Sequence, residues 1–182
     1  MGIDLYQPFT NPATRETFRC ISSTDEAYIM EWIVDTGGYV PFEHVHMNQD
    51  EVFHIHQGEM RVKINGQEHI AKAGQTIIAA RGTRHIAFND KAEKLVCTVE
   101  YKPGLDHYQT MQCFAGLTLD KNIHRNGLVN VPKIMFFLRK NKAQSLARPA
   151  IIPDFLFQMG MNIFFVIGTV MGWEKLYRKY TG

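Results

Sequence analysis

Three histidines and one glutamate in the first half of the chain, His44, His46, Glu51 and His85, have the types and spacing of an open divalent-metal site. Residues 38 to 58 read G-x5-H-x-H-x4-E-x6-G, and residues 74 to 89 read G-x5-A-x-G-x2-H-x3-N. Alternate side chains of a strand point the same way, so His44 and His46 face one side together. Glu51 begins the next strand after a short turn and can reach back toward the same point. It shares a face with Phe53 and Ile55, which sets the carboxylate among apolar side chains. His85 follows the turn Gly82-Thr83-Arg84 and can close the site from another strand. Three imidazoles and one carboxylate suit one divalent transition metal, whether Fe, Mn, Ni, Cu, Zn or Co. They leave coordination positions free for water, a small-molecule substrate or dioxygen.

The segments that carry these groups read as strands. Short runs rich in Val, Ile, Phe and Thr extend from Thr17 to Tyr101, separated by Gly37-Gly38, Gln57-Gly58, Asn65-Gly66, Ala73-Gly74 and Arg81-Gly82. Asn65-Gly66 is a two-residue hairpin signal, since both residues tolerate positive φ. Gly38, Gly58, Gly74 and Gly82 fall at expected turns, where a residue without Cβ can take φ > 0. Their placement sets the register on which a ligand group spread over several strands depends. No helical pattern of useful length interrupts the runs, so a sandwich or barrel is expected. After Pro103-Gly104 the pattern becomes helical. Leu105–Leu117 and Lys133–Leu138 read as short helices, and Pro153 can sit in the first turn of a longer one running to about Tyr180.

The two glycine-spaced stretches resemble the two motifs of the cupin superfamily. The first matches at Gly38, His44, His46, Glu51 and Gly58, and the second at Gly74, Gly82, His85 and Asn89. Ala80 departs from the pattern, where the family usually has a proline that stiffens the turn. The resemblance covers roughly residues 15–102. It implies an all-β core, a double-stranded β-helix or jelly-roll barrel with the metal inside one mouth. Residues 103–182 then form a helical extension rather than an independent domain. The resemblance is specific for fold and metal and poor for reaction, because this fold carries dioxygenases, isomerases, epimerases, decarboxylases, sensors and storage proteins. A metal-dependent enzyme on a small organic molecule is expected. Dioxygenase chemistry is favoured, because a His-rich site with one carboxylate resembles dioxygenase cupins. Sugar isomerase or epimerase chemistry and a non-catalytic metal-containing sensor remain as alternatives.

Other residues carry weaker readings. His54 and His56 form a second H-x-H, but alternation puts them opposite Glu51, facing outward or packed between the sheets. His69, His107 and His124 have no partner pattern. Trp32, Phe42, Phe53, Phe88 and Tyr101 read as barrel core, with one or two able to line a pocket. Arg81 and Arg84 are loop residues or an anion-binding pair at the mouth. Glu100 could act as an acid or base inside the site, and Asn48 and Gln49 read as polar turn residues near the opening. A net charge of +2 with no long basic run gives no reason to expect nucleic acid. Three cysteines, Cys20, Cys97 and Cys113, without C-x-x-C spacing favour a reducing compartment, and the N-terminus has no signal pattern. A cytoplasmic protein is expected. Phe155–Trp173 is nineteen residues without a charge, thirteen of them apolar. That is just enough to span a bilayer, and Gly168 and Gly172 have the spacing that lets membrane helices approach. Basic residues lie on both sides: Arg139, Lys140, Lys142 and Arg148 before, Lys175, Arg178 and Lys179 after. A helix buried in a homodimer or against the barrel is favoured over a membrane-associated or inserted helix, and contact with another protein is the third reading; cupins often pair through their outer sheets, so a homodimer is expected.

Overall fold

The computed structural model describes residues 2–141, 144–145 and 147–182; of the residues singled out above, Lys142 lies outside the described set. The apolar runs form strands β1 (Phe9–Asn11), β2 (Glu16–Ser23), β3 (Tyr28–Val34), β4 (His44–His46), β5 (Asp50–Gln57), β6 (Glu59–Ile64), β7 (Gln67–Lys72), β8 (Thr76–Ala79), β9 (Arg84–Phe88) and β10 (Leu95–Lys102). A further strand, β11 (Ala147–Pro149), comes from the C-terminal segment. They make two antiparallel sheets, in order β1-β2-β3-β10-β5-β8 and β11-β4-β9-β6-β7. This is the jelly-roll core expected, with helices following it.

Period-two burial shows how the sequence builds the barrel. In β3, Tyr28, Met30, Trp32 and Val34 are buried while the residues between them are only half-buried. Trp32, Phe53, Ile55, Met60, Val62 and Val99 from both sheets meet in one core. Asn65 and Gly66 both have positive φ, 51° and 86°, and close the β6–β7 hairpin as expected. Gly38 serves a different purpose from the one expected. Its neighbour Gly37 takes the positive φ. At Gly38 a Cβ would lie 2.5 Å from Val34 Cγ1 and 2.9 Å from the Thr14 carbonyl, so close backbone approach requires glycine there.

The C-terminal segment contributes α1 (His107–Leu119), α2 (Val131–Lys140), α3 (Asp154–Val170) and α4 (Glu174–Thr181). Helix α1 lies on the barrel, its Phe114 ring edge-on to Phe9 and Phe18. A second core of Leu117, Phe136, Phe137 and Tyr180 joins α1, α2 and α4. The single long helix expected from Pro153 to Tyr180 is instead two helices bent by 99°. The break is a C-terminal glycine cap. Gly172 has φ 72°, Trp173 N–H donates to Gly168 O at 2.8 Å and Gly172 N–H to Thr169 O, the pairing of a Schellman motif. Gly168 is taken up within the chain: a Cβ there would lie 2.4 Å from the Phe136 ring. No single helix among the described residues is long and apolar enough to cross a membrane.

Candidate metal centre

Strand register assembles the site. β4 pairs with β9 so that His44 lies opposite His85, and β10 pairs with β5 so that Tyr101 lies opposite Glu51. Opposed residues in a ladder share a face, which brings all of these side chains into one end of the barrel. His44, His46, Glu51 and His85 are all buried, and one potential ligand atom from each lies within 4.8 Å of the others. Glu51 Oε2 sits among the three imidazoles, 2.7 Å from His85 Nε2, 3.2 Å from His46 Nε2 and 3.8 Å from His44 Nε2.

A surrounding set of hydrogen bonds aims these groups. His44 Nδ1 lies 3.2 Å from the Phe42 carbonyl and His85 Nδ1 3.1 Å from the Thr83 carbonyl. A carbonyl only accepts, so each Nδ1 carries the proton and each Nε2 is turned toward the centre. Tyr101 Oη donates to Glu51 Oε1 at 2.7 Å, which leaves Oε2 for the centre. His46 is different. Both its ring nitrogens are buried without a hydrogen-bond partner, because the 3.2 Å approach to Glu51 lacks the geometry for one. A buried polar atom left unpaired costs about 1–3 kcal/mol. A cation at the centre would satisfy His46 Nε2, and three imidazoles with one carboxylate are the donor chemistry of a divalent transition metal. The residues present therefore fit such an ion, whose identity they leave open.

The electrostatics agree with the geometry. Burial pushes His44 down to about 4, against the pull of Glu51, so it stays neutral at ordinary pH. For Glu51, burial alone would raise the carboxyl, but His46 and the close approach of all three histidine rings hold it well below the usual carboxylate range. Burial would lower His85, yet its bond to Glu51 raises it above its ordinary 6.5. The proton shared by His85 and Glu51 is the one an ion must displace. Metal affinity is therefore expected to begin falling above pH 6.5 as the pH drops, with His44 joining the competition only near pH 4. Titrations of metal binding at a series of pH values check this; an affinity flat down to the usual histidine range would contradict it.

Three residues of this site went unrecognised in the sequence. Tyr101 reads from the sequence as core or pocket lining; its inward position on β10 is legible, its partner is not. Burial, then the Glu51 charge, raises the Tyr101 hydroxyl well above its ordinary value, so it remains a donor. His107, at the start of α1, stacks on Tyr101 at 3.8 Å between ring centres and on Tyr28 at 4.7 Å. Its Nδ1–H donates to Gln49 Oε1 at 3.1 Å. Gln49 is buried, and its Nε2 donates to the carbonyls of Pro103 and Gly104. No local signal marks His107 or Gln49, because a docked helix brings them together. Replacing Tyr101 by Phe is expected to lower metal affinity about 10–100-fold, the usual cost of losing a group that orients a ligand. Competition with a chelator of known affinity measures it, and parent-like affinity would remove Tyr101 from this role.

The remaining candidates fall elsewhere. His54 and His56 point away from the centre, bonded to Thr76 and Thr98 hydroxyls. Glu100 is on the same outer face, paired with Lys102 and 3.7 Å from His54, so it is not an acid or base of the site. Arg81 grips Asp50 with two nitrogens and Arg84 lies 3.7 Å from Glu43, so both guanidiniums have carboxylate partners. Trp32 and Phe53 are buried core, while Phe42 and Phe88 are only half-buried; the Phe42 ring stands beside His44 at 5.8 Å. The turn at Ala80 keeps its shape without proline: Thr83 N–H donates to Ala80 O at 3.0 Å and Gly82 N–H to His46 O at 2.8 Å.

Two antiparallel sheets closed around a buried His/His/Glu/His cluster define a jelly-roll protein whose interior could hold a metal ion. Residues 30–101 match the family model for the cupin domain, and this part of the chain is a cupin domain. Among solved structures, an RmlC-like cupin from Shewanella frigidimarina is similar at 15% identity and TM-score 0.50, over 56% of this chain and 87% of that one. KdgF from Halomonas sp. is similar at 18% identity and TM-score 0.48, over 52% and 84%. A cupin-superfamily sugar phosphate isomerase from Silicibacter pomeroyi matches at 17% identity and TM-score 0.46, over 50% and 61%. At such identities the likeness concerns the fold alone. No curated protein matches the chain.

Proposed function

We propose that this chain is a divalent-metal-dependent enzyme acting on a small oxygen-bearing organic molecule, with dioxygenase-type oxidation ahead of sugar isomerisation or epimerisation. The donor set carries this reading: three imidazole nitrogens and one carboxylate oxygen converge in one buried cluster. His44, His46, Glu51 and His85 would hold the ion, and Fe, Mn, Ni, Zn and Cu all suit them. A bound ion supplies Lewis acidity and, where it is redox-active, electrons. Glu51 offsets only one unit of a divalent charge, so the centre keeps a net positive charge for an anionic or strongly polar oxygen. Tyr101 holds the Glu51 carboxylate in place, and the Tyr101–His107 stack keeps that side of the cluster dry. Isomerisation ranks lower because it needs a separate general base, and Glu51 is already engaged by Tyr101 and the histidines.

A non-catalytic ligand-binding role is the second reading. The closure of the cluster supports it: His44, the most exposed of the four, has only 8% of its surface accessible. Oxygen uptake by protein loaded in turn with Fe(II), Mn(II), Ni(II), Zn(II) and Cu(II), offered a panel of small hydroxylated, phenolic and keto acids, separates the two. Uptake that needs both metal and substrate supports the oxygenase. A saturable rise in melting temperature with no turnover on any substrate would instead make the protein a binder.

A further inference from the structure

Helix α3 leaves a continuous apolar face uncovered. At 3.6 residues per turn, Phe155, Met159, Ile163, Val166 and Val170 fall within about a quarter of its circumference, and all five are exposed, Phe155 by 70% and Val170 by 84%. Leu156 and Ile167 widen this sector to about a third of the circumference. The opposite side is occupied: Phe157 and Met161 pack with Met135 and Leu138 of α2, and Phe165 stacks on Phe136 at 5.6 Å. A narrow polar edge of Gln158, Asn162 and Thr169 separates the two. A contiguous apolar face of this length is unusual on a monomer and marks an interaction surface.

Charge identifies the partner. Residues 133–182 hold eight basic and two acidic residues, a net of +6, while residues 1–132 hold twelve basic and sixteen acidic, a net of −4. The positive charge therefore lies in the segment that carries the apolar face. Arg139 lies along the polar edge of α3, its Nε donating to Asn162 Oδ1 at 2.9 Å. Among the described residues no carboxylate pairs with Arg139 or Lys175. A helix with an uncharged apolar face and basic flanks suits an anionic lipid surface. A second copy suits it less well, because face-to-face pairing would bring two +6 segments together.

We propose that α3 lies flat on an anionic phospholipid surface, with its Phe155–Val170 face in the acyl boundary and Arg139 and Lys175 at the headgroups. The helix does not span: crossing would strip it from α2, and the chain turns by 99° at Gly172. The barrel and its metal cluster then stay on the aqueous side.

Flotation of the full chain with vesicles of phosphatidylglycerol and phosphatidylcholine, beside vesicles of phosphatidylcholine alone, tests this. The expected result is recovery with the anionic vesicles and release at high salt. Phe155→Glu/Val166→Glu should show about a hundredfold lower partition coefficient, from lost apolar burial and added negative charge. Both positions are exposed, so the variant should keep the parent's melting midpoint and circular dichroism. If it unfolds, a polarity-sensitive dye on Val170→Cys of the otherwise intact chain gives a second reading: a blue shift only with anionic vesicles is expected. Failure of the parent to float with anionic vesicles overturns the proposal, as does flotation fully retained by the folded double variant. A parent that sediments as a dimer, becomes a monomer as the double variant and ignores both vesicles also overturns it, and assigns the face to a second copy.

Discussion

Replacing His44 and His85 together by alanine is expected to remove divalent-metal binding. The parent, loaded and desalted, should carry about one ion per chain, and the double variant less than about a tenth of that. The two residues lie opposite each other on β4 and β9, and each turns its Nε2 inward because its Nδ1 is held by a backbone carbonyl. Without them only His46 and Glu51 remain, a pair too few to hold a borderline ion against water. Stability should change in parallel. An ion that binds only the folded chain adds about 2.7 kcal/mol at a hundredfold excess over its dissociation constant, and this gain should vanish in the variant. Elemental analysis gives the stoichiometry, and urea unfolding with and without metal gives the linkage. Equal metal in both proteins would show that these four residues are not its site. The variant's own stability bears on a separate point. His85 Nε2 lies 2.7 Å from Glu51 Oε2, so its loss leaves a buried carboxylate with fewer partners, and the metal-free variant should be less stable than the metal-free parent.

The second large effect lies away from the cluster. Glu16 on β2 is buried at 4% exposure, its Oε1 accepting from Trp32 Nε1 at 3.0 Å. Burial raises its carboxyl from 4.5 to about 7. The folded chain therefore holds this proton between those values while the unfolded chain releases it. Stability from this group is fully present below the unfolded value of 4.5, is lost as the pH rises through about 7, and then stays level. The loss amounts to about 3 kcal/mol, at 1.36 kcal/mol per unit. Glu16→Gln keeps an oxygen for Trp32 and cannot ionise. The variant should be more stable than the parent by about 2–3 kcal/mol near pH 8 and close to equal near pH 4. Urea midpoints at the two pH values check it. A difference that does not grow with pH would mean that Glu16 ionises in the fold without penalty.

Both predictions draw on residues of different legibility. The cluster was legible because it depends on local rules. Strand alternation puts His44 and His46 on one face and excludes His54 and His56, and positive-φ glycines at Gly58, Gly74 and Gly82 end the strands at set positions. Glu16 was not singled out, since a lone acid at the start of a strand looks solvated until Trp32 closes over it. Glu100 went the other way: its residue type allows an acid or base in the site, but it lies on the outer face of β10, paired with Lys102. Gln49 and His107 are 58 positions apart and meet only because α1 docks on the barrel mouth.

The C-terminal segment divides in the same way. Composition marked Phe155–Trp173 as uncharged and helical, and that much is local. Whether it formed one rod, a buried helix or a bent pair depended on a glycine cap at Gly172 and on Phe136 filling the space beside Gly168. What repeats over a few residues can be read from the chain before it folds: the strands, their turns and the four donors spaced along them. What depends on surfaces meeting emerges when the barrel and helices dock: the Tyr101 and His107 rings beside the donors, and the side of α3 left bare. Alternation and turn chemistry act within a few bonds, whereas docking compares surfaces built from residues far apart in the chain.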